Sequence, residues 1–420
     1  MNNKIPKIHK KVIRETIKTI TSSVPVNIDK LAFYFLESIL EDLRQAKRYD
    51  YIVDGKIYIV YDGKENKIAI GPDYNFYFSK INGEFRRWGK NIDDDPEYSP
   101  IGPEILDCEI SINGCPNAQK CKFCYKNNTN EPATNMTLEQ FKVLIDKFTK
   151  ALGQVAFGIT GIQTNPDFIP MMKYCREIGI VPNFTLSGID LTDEIAKQCS
   201  ELIGAVAVSA YSSDKNICYN TVKKFTDLGV RQTNIHLLAS IETLDFVYEV
   251  LKDRMTDSRL SNMNSIVFLG VKPKGRAKDN YHPLTSAQYK ELIEFCFANN
   301  LSIGFDSCSA PKFESAVNKM SLSDIEKKRL ISCSESCESG IFSFYSNVKG
   351  EYFPCSFTEK ERNWQTGPSV LEAKDFLKDI WYHPRNTEWR NSLLKTCKSG
   401  CRQCLSFPEI NPKECLENNE

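Results

Sequence analysis

The first hundred residues contain two regions that differ in the spacing of their apolar residues. From Ile28 to Tyr49 the apolar residues recur with the period of a helix, which predicts an amphipathic helix, and a shorter helix is predicted over Ile8–Thr21. Beyond Tyr49 the apolar residues alternate in short segments divided by Asp-Gly and Asn-Gly pairs, which are typical of hairpin turns. The strands predicted for this meander are Tyr51–Val53, Ile57–Tyr61, Lys67–Ile70, Phe76–Ser79 and Phe85–Trp88. We therefore predict that residues 1–104 form a small α+β module.

From Ile105 onward, short β-branched segments alternate with longer amphipathic segments. The predicted strands are Ile105–Ser111, Gln154–Thr160, Asn183–Leu186, Ala205–Ser209, Thr233–Leu238, Ser265–Leu269 and Leu301–Phe305. The predicted helices are Leu138–Leu152, Asp167–Ile178, Asp193–Glu201, Ile217–Leu228, Leu244–Met255 and Ser286–Asn299. Six successive βα units predict an α/β fold, with a parallel sheet that curls into a partial (β/α)6 TIM-like barrel over residues 105–307. In such folds the working residues lie at the carboxyl ends of the strands.

Composition narrows the class of protein. The chain has 54 Lys and Arg against 54 Asp and Glu, and this zero net charge argues against nucleic acid or an anionic membrane as a partner. No apolar run approaches the ~20 residues of a membrane span, and the first ten residues lack the apolar core of a signal peptide. We therefore expect a cytoplasmic protein. Because disulfides rarely persist in the cytoplasm, the 16 cysteines indicate metal ligands.

Three cysteines follow the first predicted strand of the barrel. Cys115, Cys121 and Cys124 are separated by five and two residues and lie on one predicted loop at the carboxyl end of that strand. Thiolates at such spacing can bind three irons of a [4Fe–4S] cluster and leave the fourth iron open for catalysis. Cys108 lies within the strand itself, so we do not expect it to be a ligand. The alternative is a structural zinc ion that takes its fourth ligand from elsewhere in the chain.

The aromatic residue Phe123 directly precedes the last cysteine of this loop, and a Gly-Arg-Ala segment at residues 275–277 follows the sixth predicted strand. Together with the three cysteines, this pattern resembles the radical SAM superfamily. The resemblance implies that Cys115, Cys121 and Cys124 bind a [4Fe–4S] cluster whose open iron binds S-adenosylmethionine (SAM), so that an electron from the cluster releases a 5′-deoxyadenosyl radical. The SAM-binding residues that it implies are Phe123, Gly158, Gly161, Ser187 and Ser209.

The last quarter of the chain holds eight of the cysteines. Cys337 is followed by twelve residues, Gly350, four residues and Cys355, a spacing that predicts a β-hairpin bringing the two thiols together. This region resembles the SPASM extension of radical SAM enzymes, which implies one or two auxiliary [4Fe–4S] clusters within residues 308–420. The ligands that it implies are Cys333, Cys337, Cys355, Cys397, Cys401, Cys404 and Cys415. A zinc ion held by Cys337, Cys355, Cys401 and Cys404 is the alternative.

The remaining cysteines have other interpretations. Cys308 follows the last predicted strand of the barrel and is a candidate for a catalytic role in the cavity. Four others fall in predicted helices, where a cysteine usually packs as a small apolar residue; they are Cys175, Cys199, Cys218 and Cys296.

These features predict radical chemistry on a substrate at the mouth of the barrel. Relatives with the SPASM extension mostly modify peptides, so the resemblance implies a peptide or protein side chain as substrate, and an electron donor such as flavodoxin or ferredoxin. A small metabolite or a nucleoside is the alternative substrate, and a non-enzymatic, zinc-stabilised binding protein is the alternative class. The N-terminal meander is either a peptide-recognition element with a free edge strand or a structural cap on the barrel.

Overall fold

The computed structural model describes residues 38–118, 121–396 and 402–412. Residues 38–45 are helical, and a strand over Lys47–Val53 begins two residues later. The prediction that the helix continues to Tyr49 is therefore wrong, because its last three residues pair with the next strand instead. The predicted helix Ile8–Thr21 and the first part of the second predicted helix lie outside the described residues.

The N-terminal meander forms a five-stranded antiparallel sheet in the order β1-β2-β3-β4-β5. Its strands are β1 Lys47–Val53, β2 Lys56–Asp62, β3 Asn66–Ile70, β4 Asn75–Ser79 and β5 Phe85–Trp88. One face packs against the helical residues 38–45, through side chains such as Leu43 and Tyr77. The other face packs against the rest of the protein, where Phe76 joins an apolar cluster with Val181 and Phe342. Both faces are thus covered, and the predicted meander is confirmed.

The larger sheet has nine strands in the order β14-β13-β12-β11-β10-β9-β6-β15-β16. Its strands are β6 Ile105–Glu109, β9 Gln154–Gly158, β10 Val181–Leu186, β11 Ala205–Ser209, β12 Gln232–Ala239, β13 Ser265–Gly270, β14 Ile303–Phe305, β15 Ser343–Ser346 and β16 Tyr352–Phe353. All neighbours pair in parallel except β15 and β16. Two short strands, β7 Ser111–Ile112 and β8 Thr134–Asn135, form a separate antiparallel pair. An α/β fold with a large parallel sheet is therefore confirmed.

Helices alternate with these strands as predicted. Those within the alternation are α1 Leu138–Asp146, α2 Phe168–Glu177, α3 Asp193–Ser200, α4 Lys215–Asp227, α5 Leu244–Thr256 and α6 Ser286–Ala298, and the later ones are α7 Ala310–Asn318, α8 Asp324–Ile331 and α9 Pro384–Lys395. Helix α1 ends six residues before the predicted Leu152. The chain turns there because it bonds to the segment before β6: the Thr149 hydroxyl donates to the Ile101 carbonyl, and the Gly153 amide donates to the Glu104 carbonyl at 2.9 Å.

Strand β15 comes from the cysteine-rich C-terminal region, yet it lies beside β6 in the large sheet. Ser343 is the register partner of Ile105, and Ser346 is the partner of Cys108. The following strand, β16, pairs with β15 as the predicted hairpin. The C-terminal region therefore shares the sheet of the preceding βα units.

The two faces of the large sheet carry different residues. The side chains that face the helices are large and buried, among them Leu106, Phe157 and Phe184. The opposite face, which we call the inner face, carries at alternate positions Asp107, Ala156, Thr185, Ser209 and His236. Because small and polar residues prevail there, the inner face leaves room for a ligand.

The N-terminal sheet lies at the amino ends of the parallel strands. The buried Lys67 ammonium donates to the carbonyl of Leu152, just before β9, at 2.6 Å. The backbone amide of Lys150 donates to the Tyr51 hydroxyl at 2.8 Å. The carboxyl ends of the strands, at the other side of the sheet, are therefore left for chemistry. Among the described residues, none of the helices is long and apolar enough to cross a membrane.

Candidate functional site

The cysteine loop is held at the carboxyl end of β6, with Cys115, Cys121 and Cys124 all partly buried. Hydrogen bonding between the thiols of Cys121 and Cys124 lowers the pKa of Cys124 and raises the pKa of Cys121. Burial raises the pKa of Cys115, and the charge of Cys124 raises it further. The three thiols therefore lie within electrostatic range of one another, and Cys124 is disposed to be the thiolate, which is the form that binds metal.

Arg276 binds this loop from the segment that follows β13. Its Nε donates to the Cys121 carbonyl at 2.9 Å, and its Nη1 donates to the Asn128 carbonyl at 2.9 Å. Its backbone amide donates to the Cys124 carbonyl at 3.0 Å. The preceding Gly275 has φ +59°, and a Cβ at this position would overlap the same Cys124 carbonyl oxygen. The Gly-Arg-Ala segment therefore fixes the loop by a close approach that a larger residue would prevent.

Three buried polar atoms around the loop have no hydrogen-bond partner in the described structure. They are Nδ2 of Asn117, Oδ1 of Asp190 and Nη2 of Arg276. A Cβ at Gly161 would come within 2.8 Å of Asp190 Oδ2, so the glycine lets the turn after β9 approach this carboxylate. Buried polar groups are almost always satisfied, and unpaired ones next to three thiols fit the binding of a polar ligand.

The other predicted SAM-binding residues lie at different distances from the loop. Phe123 stacks on Tyr211, with ring centroids 5.8 Å apart, and meets Tyr281 edge to face. Burial raises the pKa of Tyr211, the charge of Cys121 adds to this, and the polar group of nearby Ser209 lowers it. These contacts place the β11 end beside the loop. Ser187 lies on the turn after β10, where its hydroxyl accepts a bond from the Ile189 amide at 3.4 Å. Gly158 ends β9 and is exposed.

A second group of thiols gathers Cys308, Cys337, Cys355 and Cys404. Burial raises the pKa of Cys404, and the charges of the other three thiols raise it further. In the described part of the chain, no set of three or more Cys, His, Asp or Glu side chains is arranged to hold a single metal ion. The four thiols are therefore neighbours, but they are not arranged around the position of a single metal ion.

The sequence predicted only three of these four thiols as ligands. It named Cys337, Cys355 and Cys404, but it assigned Cys308 to the cavity and counted Cys333 as a ligand. Cys308 lies in the electrostatic range of Cys404, and Cys333 is exposed after α8. The catalytic role of Cys308 and the ligand role of Cys333 stay predictions. Three further predicted ligands, Cys397, Cys401 and Cys415, lie outside the described residues. The four helical cysteines are buried in the core as predicted.

A buried ammonium group accompanies the second thiol group. The side chain of Lys272 is 3% exposed and pairs with the carboxylate of Asp306. Burial alone lowers the pKa of Lys272, but the charges of Asp306, Cys308 and Cys404 outweigh burial and raise it. A cation in this position favours the thiolate forms of its neighbours. Neither the sequence spacing nor a motif indicated this residue.

An ion-pair network joins the cysteine loop to the C-terminal region. Lys126, two residues after Cys124, pairs with Glu109 at 3.1 Å and with Glu359. The Tyr345 hydroxyl donates to Glu109 at 3.0 Å. Burial raises the pKa of Glu109, and Lys126 opposes this shift. The network therefore connects β6, the loop and β15 at the carboxyl end of the sheet.

Two solved structures resemble this chain over most of its length. SuiB of Streptococcus suis, bound to the precursor peptide SuiA, matches with a TM-score of 0.58 and 13% identity over 87% of this chain and 94% of SuiB. anSMEcpe, with bound AdoMet and a Cp18Cys peptide, matches with a TM-score of 0.54 and 18% identity over 75% of this chain and 95% of that chain. The chain has the fold of these radical SAM enzymes. No protein-family model and no curated protein sequence matches it, so the likeness is one of structure.

The shared fold agrees, at the level of the fold, with the resemblance that the cysteine loop and the strand ends predicted. It also agrees with the carboxyl end of the sheet as the position of the site, since the loop, Arg276 and the network of Lys126 all lie there. The roles of the individual residues are not tested by this likeness and are proposals.

Proposed function

We propose that this chain is a radical SAM enzyme that modifies a peptide or protein side chain. The observation that carries the proposal is the cysteine loop at the carboxyl end of β6, where the thiols of Cys115 and Cys121 both lie within electrostatic range of Cys124 and Arg276 binds two loop carbonyls. The fold supports it, since SuiB was solved with a precursor peptide and anSMEcpe with AdoMet and a peptide.

In this proposal Cys115, Cys121 and Cys124 hold a [4Fe–4S] cluster. When bound, such a cluster supplies the electron that cleaves SAM reductively and so provides a radical for hydrogen abstraction from the substrate. The chain itself orients the reactants. Arg276 fixes the loop by its bonds to two loop carbonyls, while the unpaired atoms of Asn117 and Asp190 are available to a polar ligand.

The second thiol group has the composition of an auxiliary [4Fe–4S] site. Cys308, Cys337, Cys355 and Cys404 would hold it, and the ammonium of Lys272 would offset part of its negative charge. Four thiolates are the usual ligand set of such a cluster. We further propose a partial barrel over residues 105–307, an auxiliary domain over residues 308–420, and reduction by a donor such as flavodoxin or ferredoxin.

The position of the N-terminal module supports its role as a structural cap. Lys67 and Tyr51 bind the chain just before β9, which is the end of the sheet away from the cysteine loop. Arg87 joins this module to the C-terminal region through Glu338 at 2.9 Å. A peptide on the edge of this meander would therefore have to continue around the sheet to reach the loop.

The experiment that tests the proposal is anaerobic reconstitution with iron and sulfide, followed by metal analysis and assay of 5′-deoxyadenosine. We expect two iron–sulfur clusters per chain and SAM cleavage under strong reductant. Stoichiometric zinc without iron, or iron without SAM cleavage, would contradict the proposal. Turnover of a nucleoside or small metabolite with no peptide present would contradict the substrate class.

A further inference from the structure

Asp107 is the middle residue of β6, on the inner face of the large sheet. Its neighbours along the strand, Leu106 and Cys108, are buried on the face that packs against the helices. Its register partners are Ala156 on one side and Tyr345 on the other. The side chain therefore projects from the inner face of the sheet and not toward the outer helices.

The inner face is open around this carboxylate. Asp107 is exposed although strands pair with β6 on both sides, and so is Gly158 at the end of the neighbouring strand β9. The residue next to Asp107 on β9 is Ala156, whose side chain is a single methyl group. A molecule that enters the inner face can therefore reach Asp107.

Within the described residues, the carboxylate of Asp107 forms no ion pair and accepts no hydrogen bond. The next acidic residue on the same face, Glu109, differs in this respect, because it has both Lys126 and the Tyr345 hydroxyl as partners. Lys126 is also paired with Glu359, so two carboxylates neutralise this ammonium. Asp107 thus presents an unshared negative charge.

The surroundings make this unshared charge costly. The carboxylate can be reached from the inner face, but the surrounding protein displaces part of its water, and this desolvation raises its pKa from 3.8 to about 6. No other charge or hydrogen bond contributes to the shift. A desolvated carboxylate gains more from a cation than one in bulk water, because the effective dielectric is lower.

Asp107 also lies near the cysteine loop. Burial raises the pKa of Tyr125, and the charges of Glu109 and Asp107 raise it further, so the carboxylate lies within electrostatic range of the residue that follows Cys124. A group bound to Asp107 would therefore be held below the loop, on the inner face.

We propose that Asp107 binds a cationic group of the substrate, a primary ammonium or a guanidinium, and thereby selects peptides with a basic side chain. The inference rests on the proposed function in calling the bound peptide a substrate. The cation-binding site itself does not depend on SAM chemistry. Asp107 is a positioning residue here: it holds the cation on the inner face beside β9 and takes no part in bond cleavage.

The test is a binding measurement with two acetylated and amidated pentapeptides, Gly-Gly-Lys-Gly-Gly and the same peptide with norleucine in place of lysine. Norleucine keeps the apolar stem and removes the charge. Charged hydrogen bonds contribute enough that we expect the reconstituted protein to bind the lysine peptide at least about tenfold more tightly. The proposal would be overturned if neither the lysine peptide nor the same peptide with arginine bound measurably, or if neither bound more tightly than the norleucine peptide.

Two variants localise the preference. In Asp107→Asn, which keeps the shape and removes the charge, the lysine preference should fall below about twofold while the norleucine peptide binds as before. In Asp93→Asn, which removes an exposed charge from the polar loop before β6, the preference should remain. A lysine preference that persists in Asp107→Asn would refute the assignment. Asp107→Ser serves as the second variant if the asparagine protein does not fold.

Failure of this inference and failure of the proposed function give different results. If SAM is cleaved but neither the lysine nor the arginine peptide is preferred, the inference fails and the proposed function stands. If the preference depends on Asp107 but no SAM is cleaved, the cation site stands and the proposed function fails. Replacing lysine by arginine in the peptide distinguishes an ammonium site from a guanidinium site, and preference for either supports the proposal.

Discussion

The cysteine loop and the second thiol group differ in how the chain brings their residues together. Cys115, Cys121 and Cys124 belong to one loop, and their mutual position depends on local backbone bonds and on Arg276. The second group takes its thiols from the turn before α7, the segments before and after the β15–β16 hairpin, and the C-terminal segment. One group is therefore formed by a loop, and the other requires the folded C-terminal region.

Their surroundings differ in the same sense. The loop thiols are partly exposed at the mouth of the sheet, and unpaired polar atoms lie next to them. In the second group Cys337 is buried, and the ammonium of Lys272 lies in an almost closed environment. Partial exposure suits a group that must admit a ligand, whereas burial beside a cation suits one that transfers electrons or stabilises structure. The position of each thiol group in the fold, more than its number of cysteines, therefore distinguishes a group that admits a ligand from one that transfers electrons or stabilises structure.

We expect the largest effect from removing the three thiols of the cysteine loop. In the variant with Cys115, Cys121 and Cys124 all changed to Ala, SAM cleavage should fall to background, and iron should decrease by about four per chain, since one cube holds four. The protein should remain brown, because the second group is intact. Iron analysis and the 5′-deoxyadenosine assay measure both effects.

Cys199→Ala is the control for this variant, because Cys199 is a buried thiol on α3 within the apolar core. It should keep its full iron content and activity. Retained SAM cleavage in the triple variant would show that the loop is not the catalytic ligand set.

We expect a smaller effect from changing a thiol of the second group. The iron content of the variants should distinguish Cys308, as a ligand, from Cys333. Cys308→Ala should lower the iron content by up to about four per chain, because Cys308 lies with the other three thiols. Cys333→Ala should have no effect, because Cys333 is exposed. Iron analysis of both variants measures the difference. If Cys333→Ala loses iron and Cys308→Ala does not, the assignment made from the structure is wrong.

The smallest of the three effects concerns the ion-pair network of Lys126, which joins the cysteine loop to the C-terminal region. In Lys126→Met the carboxylates of Glu109 and Glu359 lose their shared cation, and breaking a buried pair in this way costs about 3 kcal/mol of unfolding free energy. Urea unfolding of the reconstituted protein measures the loss. A triple variant that also carries Glu109→Gln and Glu359→Gln should recover most of it. A loss below about 1 kcal/mol would place the network among surface ion pairs.

Local patterns were sufficient for most of the fold. Strand β11 has the bounds that its β-branched run predicted. Helix α4 differs from prediction by two residues at its start and one at its end, and α5 differs by one residue at its end. The hairpin of β15 and β16 was predicted from the spacing between Cys337 and Cys355. These elements are decided by contacts between residues close in the chain, which a periodic pattern records.

What could not be predicted depends on contacts between distant residues. The pairing of β15 with β6 has no local signal, because a short apolar run fits any sheet position. Cys308 gave no spacing pattern, since its neighbours lie on other segments, and no local pattern distinguished the cation Lys272. The cysteine loop, by contrast, was found because all its thiols lie within one short motif.

The pairing of β15 with β6 has a consequence for how the protein is made. Ser343 and Ile105 are register partners, and more than two hundred residues separate them. At roughly 5–20 residues per second, the ribosome needs on the order of ten to fifty seconds to synthesise that interval. Throughout this time one edge of β6 has no partner from β15, and the cysteine loop that follows β6 is synthesised early in the interval. The nascent chain therefore presents its loop thiols before the second side of the sheet exists to shield them.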